Sequence, residues 1–419
     1  MQATSAVVAP KEPALKNARR LLRMQEMGLV IVIILMSIFL YLQAENNSRD
    51  FFPKTITNGA GQQIELPAMH AEENKFLNAN NIVQIVLTQM SWMAVMGIGV
   101  TIVIIAGGID ISVGSVMGFS ALACAASLEV LGPDAPPWLG LAVGIGVPLG
   151  VGLACGLING ILVVGLRMHP FIVTLSTMSI FRWACLKMAK LGTLPSGDHV
   201  LSTSFTDHFI AWQTTFSRYG GRMSEVFQPV PILVMLLCLA AGWVYLRLSV
   251  WGRETYAIGG NEEAARFSGI RVPWAKIRVY AISGLCAGIA GMLNCGFYKS
   301  ASTSTGYGYE LAVIAAAAVG GASMLGGRGT ALGAVLGTLI IQLIYDGTRI
   351  LSAVTFGFPP RHLLDLLGLG KTDQWFHFNL FPVSTGDSLL YNGVSILVAV
   401  AIDQFSQYLQ KRRQTRAKG

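Results

Sequence analysis

Long apolar runs alternate with short polar ones along this chain, and the runs have the length of membrane crossings. A helix needs about 20 apolar residues to cross the hydrocarbon core of a bilayer. Ten segments meet or approach that length: 27–44, 82–106, 111–131, 138–166, 171–190, 229–248, 277–298, 308–326, 329–351 and 387–408. The pattern predicts an all-α, polytopic membrane protein with about ten transmembrane helices in one domain, 27–408. Basic residues precede the first span, as they would a signal peptide. The "YLQAENN" that follows offers no small-x-small cleavage site, so the span reads as an uncleaved anchor.

The polar positions between spans give the orientation. Lys11, Lys16, Arg19, Arg20 and Arg23 lie in a basic N-terminal tail, 1–26. Arg247, Arg253, Arg266, Arg271, Lys276 and Arg278 lie in and beside a loop at 249–276. Lys411, Arg412, Arg413, Arg416 and Lys418 lie in the C-terminal tail, 409–419. Ten crossings bring all three to one side, and the excess of Lys and Arg in short segments marks that side as the cytoplasm. Arg167 and Arg328 fall there too. Both termini are therefore expected inside, and 45–80, 191–228 and 352–386 outside. The middle outward segment carries Phe205, Phe209, Trp212, Phe216 and Tyr219, which suit a short helix at the membrane interface or against a partner.

Composition agrees. Of 419 residues, 53% are hydrophobic and 12% charged, whereas a soluble domain carries about 25% charged residues. The 47 glycines fit close packing of membrane helices. Gly146, Gly150, Gly152, Gly156 and Gly160 form one ladder, and Gly329, Gly333 and Gly337 another. All six cysteines sit within apolar stretches, which suits packing rather than a disulfide framework or zinc site. The six histidines lack metal-ligand spacing, so no metal site is expected. The net charge of +8 reads as a topology signal and not as a nucleic-acid surface. "DLLGLGKT" (365–372) ends like a phosphate-binding loop, but Asp365 stands where such a loop needs its first glycine. The topology also puts it outside, away from ATP.

One charge stands apart. Between Ile82 and Leu128 the only charged residue is Asp110, in "AGGIDISVGS". A carboxylate at a bilayer centre costs roughly 2.5–3.5 kcal/mol. Gly107–Gly108 can break the second span, leaving Asp110 to cap the third by accepting from the Ser112 and Val113 N–H groups. In "GYGYELAVIAAAAVGG" Glu310 would cap the eighth span in the same way, on the opposite membrane face. Spans two to five start outside and spans seven to ten inside, so the two sets read as an inverted repeat, a common transporter plan with the pathway at the repeat interface. Asp110, Ser112, Ser115, Asn159, Thr305, Tyr307 and Glu310 are the candidate polar lining of that pathway.

Within the cytoplasmic loop, Asn261–Ser268 reads as a short helix. Asn261 is its N-cap, Glu262 and Glu263 fill the first turn, Arg266 follows, and Gly269 is the stop. Glu263-Ala264-Ala265-x-x-x-Gly269 resembles the loop by which ABC importer permeases seat in their ATPase subunit. "AIGGNEEAARFSGI", "GGIDISVGS", "GLINGILVVGLRMHPFIVTLSTM" (Gly156–Met178) and the run Ser283–Ile340 are together similar to permeases of monosaccharide ABC importers, the ribose, xylose and arabinose type. The similarity covers about residues 80–350. It implies a bacterial inner-membrane subunit that binds no cofactor itself and leaves ATP to a separate ATPase. It further implies an extracytoplasmic sugar-binding protein and a second permease, identical or not. Gly260, Asn261, Glu262, Glu263, Ala264, Ala265 and Gly269 would then be the ATPase-coupling residues. Segments 191–228 and 352–386 look longer than the family's usual loops. The other reading of the residues is an ion-coupled secondary transporter or facilitator of small polar solutes.

Overall fold

The computed structural model describes residues 81–350 with few interruptions, the helix at 12–43, and short strands within 46–74, 353–357 and 377–382. The tenth expected span, the C-terminal tail and the 365–372 motif lie outside the described residues. In chain order the helices are α1 (Glu12–Gln43), α2 (Gln89–Ile105), α3 (Val113–Leu131), α4 (Pro137–Gly165), α5 (Pro170–Met188), the single turn α6 (Thr203–Phe205), α7 (Pro229–Leu248), α8 (Val250–Gly260), α9 (Glu262–Phe267), α10 (Val272–Tyr298), α11 (Tyr309–Val319) and α12 (Ala331–Ile350). Two π-helical turns, Asn81–Thr88, lead into α2.

Among the described residues, six helices are long and apolar enough to cross a membrane: 81–105, α3, α4, α5, α7 and α10. Three shorter apolar stretches, 26–42, α11 and 331–347, complete the set expected before residue 351. The eighth differs from its expectation. α11 has 11 residues, about 16 Å of rise, or half the hydrocarbon thickness. After Glu310 the run to 326 is almost wholly alanine, glycine and other apolar residues, so hydropathy extends it. The backbone stops it at Gly320, and Gly321, Gly326 and Gly327 then adopt φ of +91°, +87° and +73°, a region that a right-handed helix does not visit.

The core is built on α2, α3 and α10. Nearly every residue of α2 is buried, its side chains meeting α10, α11, α12 and α7. α4 lies against α10 through glycine: a Cβ at Gly284 would stand 2.3 Å from the Gly152 carbonyl oxygen, and one at Gly156 2.4 Å from that of Tyr280. Backbones approach this closely only where both helices lack side chains, which is how membrane helices gain van der Waals contact without a hydrophobic driving force. The outer faces of α4, α5 and α7 expose Leu153, Leu157, Ile161, Leu175, Ile180, Leu233 and Leu237. Apolar surface on this scale belongs against lipid.

The bundle has two distinct ends. At one, the α2–α3 junction, the α11–α12 junction and α8–α9 meet, with Arg253, Arg266, Arg271, Lys276, Arg278 and Arg328 nearby. At the other, Thr193–Leu194 pairs with Ala301–Ser302 in a two-stranded ribbon, and Lys299 pairs with Asp207. α3 runs away from the first end, whereas α11 starts beside Gly114 in the first turn of α3 and runs toward it. The two helices are therefore opposed, as an inverted repeat requires.

A short helical stretch does form in the middle outward segment, α6 running on into a π-helical turn at Thr206–Ile210, but its aromatics Phe205 and Phe209 pack inward and do not lie on the surface. Phe205 is fully buried. Its ring fills the space at Gly144, where a Cβ would stand 2.3 Å away, because a glycine in α4 leaves a notch that an aromatic ring can occupy. Phe216 lies in a hairpin strand, Thr214–Arg218, paired with Met223–Phe227. Trp212 and Tyr219 lie outside the described residues.

Candidate functional site

The α8–α9 segment is a pair of short capped helices. Ser249 opens α8, its Oγ accepting from the Gly252 N–H at 2.9 Å. Asn261, extended at φ −162° and ψ 106°, ends α8 and starts α9. Its side-chain oxygen accepts from the Ala264 N–H at 3.0 Å. Glu262 and Glu263 occupy the first turn of α9 and Arg266 the last, the order that a helix dipole favours. Gly269, at φ +84°, turns the chain so that the Ile270 N–H reaches back to the Ala265 carbonyl at 3.1 Å, a left-handed stop that glycine makes easily.

One side of this segment is anchored. Ala265 is buried with Ile258, Val272 and Ala275. Glu262 accepts from Lys276 at 2.8 Å, and Glu254 from Arg278 at 2.8 Å. The Arg278 guanidinium also lies over the Trp251 ring, 5.1 Å from its centroid. Both basic partners belong to the first turns of α10. The other side is free: Gly260, Asn261, Glu263, Ala264 and Gly269 are exposed, and Phe267 is 89% exposed. The anticipated coupling residues thus divide into a fixed side, Glu262 and Ala265, and a presented side. Phe267 and the two ion pairs to α10 are additions. An aromatic beside Arg266 in a polar loop was a visible signal for the first; nothing in the sequence marks the pairings.

The pathway candidates fall into two groups. Asp110, Ser112, Ser115 and Asn159 form one buried cluster. Asp110 Oδ1 accepts from the Ser112 N–H at 3.1 Å and the Ser112 hydroxyl at 2.7 Å. Its Oδ2 accepts from the Ser283 hydroxyl of α10 at 2.7 Å. Asn159 of α4 donates to Ser112 Oγ at 2.7 Å, and Ser115 to the Ser112 carbonyl at 2.7 Å. Asp110 therefore makes the expected bond to Ser112, but α3 begins only at Val113, and Ser112 and Ser283 hold the carboxylate in place of the Val113 N–H. Around it the Thr174 hydroxyl accepts from the Ile111 N–H at 3.3 Å, and Tyr280 donates to the Ile109 carbonyl at 3.3 Å. Side chains of α5 and α10 thus satisfy backbone groups that the broken turn frees, as backbone at membrane depth requires.

Thr305, Tyr307 and Glu310 form the second group, against the first two turns of α3. The Gly306 and Thr305 carbonyls sit where a Cβ of Gly114 or Gly118 would be, 2.5 and 2.4 Å from it. Arg182 of α5 donates to the carbonyls of Thr305 at 2.8 Å and Thr303 at 3.3 Å. Its guanidinium lies 5.6 Å from the centroid of the Tyr307 ring, which is 73% exposed. Glu310 is not the cap expected of it. α11 starts at Tyr309 from Gly308 at φ +80°, so Glu310 already lies inside the helix, and its Oε2 is buried against Gly114 without a hydrogen-bond partner.

A bundle with an apolar outer face, a polar core at an interrupted helix and an exposed capped helix at its basic end is a multi-pass transport subunit of a membrane. The chain belongs to the family described as branched-chain amino acid transport system / permease component, whose model matches residues 82–367. It is 39% identical over 281 residues to the ribose import permease protein of Bacillus subtilis (strain 168), covering 67% of this chain and 80% of that one. It is 36% identical to the D-allose transport system permease protein of Escherichia coli (strain K12), with 67% and 79% covered. To the fructose import permease protein of Rhizobium meliloti it is 31% identical over 335 residues, 79% of each chain. No solved structure matches it.

Proposed function

We propose that this chain is the inner-membrane permease of an ATP-driven importer for a monosaccharide or related polyol. It works with a second permease, a cytoplasmic ATPase and an extracytoplasmic sugar-binding protein, and hydrolyses nothing itself. The relatives named for ribose, allose and fructose import support the substrate class. One observation carries the coupling: α9 presents Glu263, Arg266 and Phe267 to solvent while Ala265 and Glu262 fix it to α10. A short, capped, anchored helix is a rigid knob, and a partner that moves it moves α10.

ATP-driven closure of the ATPase pair would press on α9. α10 would follow, and with it α4, packed against it through glycine. Sugar handed over by the binding protein would pass the Tyr307 rim along small and weakly polar side chains. Selectivity can rest on the binding protein, so the pathway itself needs no tight site. The test is Glu263→Lys in the complete importer. The variant should insert normally, lose copurification with the ATPase and lose at least tenfold in ATP-dependent uptake. Unchanged uptake would overturn docking at α9, and uptake that persists in ATP-depleted cells with an intact proton gradient would overturn ATP coupling.

A further inference from the structure

Gly259, next to the docking helix, touches the membrane bundle backbone to backbone. A Cβ there would stand 1.7 Å from the Ile105 carbonyl oxygen and 2.6 Å from the Gly327 nitrogen. Those two atoms are themselves bonded, Gly327 N–H donating to the Ile105 carbonyl at 2.8 Å. Ile105 ends α2, and Gly327 lies in the turn between α11 and α12. Both interrupted junctions of the bundle therefore close on each other at the point where α8 rests. Gly326 belongs to the same contact, since a Cβ on it would fall 2.7 Å from the Gly259 carbonyl oxygen and 3.1 Å from Gly107 Cα. A polar tie runs alongside: Tyr256 of α8 donates to the Gly329 carbonyl, before α12, at 2.7 Å. Burial pushes that phenol up to about 12, so it remains a donor at physiological pH.

We infer that Gly259 is the positioning residue through which displacement of the docking helices reaches both helix breaks at once, with Tyr256 as its polar support. The ion pairs at Glu254 and Glu262 link α8–α9 to α10 alone, and through flexible side chains. The Gly259 contact has no side chain in it, so a shift of α8 cannot be absorbed by a change of rotamer. It bears on the α2–α3 junction next to Asp110 and on the turn that follows α11. α11 in turn begins against α3 beside the exposed loop residue Ser304. The inference rests on docking of an ATPase at α9.

The experiment uses the purified permease–ATPase complex carrying Ser304→Cys as a reporter, labelled with N-ethylmaleimide with and without MgATP and vanadate. Five of the six native cysteines are buried. The otherwise native chain should show a several-fold change in labelling rate on nucleotide trapping. Gly259→Ala should retain the ATPase yet bring the ratio to about one. Tyr256→Phe, which removes a single hydroxyl, should at least halve the change. Gly165→Ala, at the same end with nothing within 4 Å of the added carbon, should leave it intact. If Gly259→Ala binds the ATPase and keeps the native ratio, the inference is overturned while the importer reading stands. Where that variant does not assemble, Tyr256→Phe decides, and an unchanged ratio overturns the inference. A native complex that neither holds the ATPase nor responds to nucleotide overturns the importer reading and this inference with it.

Discussion

Asp110 shows how a carboxyl group is held inside the bundle. Its two oxygens accept three hydrogen bonds from Ser112 and Ser283, and each donor belongs to a different part of the bundle: the turn before α3, and α10. Hydrogen bonds to charged groups contribute about 1.5–3 kcal/mol each, and leaving a buried acceptor unpaired costs about 1–3 kcal/mol. Ser283→Ala strips Oδ2 of its donor and should lower the thermal unfolding midpoint in detergent clearly. Ser115→Ala removes a hydroxyl that only bonds back to a helix carbonyl and should lower it less. Equal midpoints for the two variants would refute the assignment. The sequence exposes Asp110 because it is the lone charge in a long apolar run. Ser283, 173 residues away, looks like any other small residue in a packed helix, and its role depends on a pairing no local pattern encodes. Arg182 is hidden for a similar reason: its acceptors are backbone carbonyls of a loop distant in the chain, and a carbonyl has no sequence signature.

At the level of elements, periodicity locates a helix but not its partner. The glycine ladder of α4 reads as one feature in the sequence and divides into two in the structure. Gly152, Gly156 and Gly160 recur every fourth residue and meet α10, while Gly146 and Gly150 have nothing within 4 Å of an added carbon. A step of two residues, from 150 to 152, turns the row about 200° around the helix, and composition does not say which row is covered. Gly284→Val would drive a branched side chain into the Gly152 backbone and should abolish a monodisperse peak in size-exclusion chromatography. Gly146→Val should leave the peak unchanged. Comparable behaviour of the two variants would mean that α4 does not pack on α10 through that row. The half-length of α11 was illegible by the same logic, since alanine and glycine are apolar whether they continue a helix or end it. The cap at Asn261 was legible, because capping chemistry is local: one side-chain oxygen, an N–H three residues on, and acids in the first turn.

For the molecule as a whole, the open quantity is which end faces the cytoplasm, and the charge distribution argues it. Arg253, Arg266, Arg271, Lys276, Arg278 and Arg328 gather where α8 and α9 meet the helix breaks, while Lys187, Lys190 and Lys299 mark the other end beside Glu129 and Asp207. Cationic side chains in short loops are retained inside during insertion, so the α9 end should be cytoplasmic and the Thr193–Leu194 ribbon external. Two exposed positions report on this independently of transport: Ser268 just after α9, and Val200 beyond the ribbon, which is 57% exposed. On intact cells a membrane-impermeant maleimide should label a Val200→Cys variant within minutes and spare Ser268→Cys until the cells are permeabilised. Native background should be low, because Cys124, Cys155, Cys185, Cys286 and Cys295 are buried. The reverse pattern would place α9 outside, out of reach of any ATP-hydrolysing partner. The coupling role of Glu263 and the transmission through Gly259 would then fail together, whatever the similarity to sugar permeases.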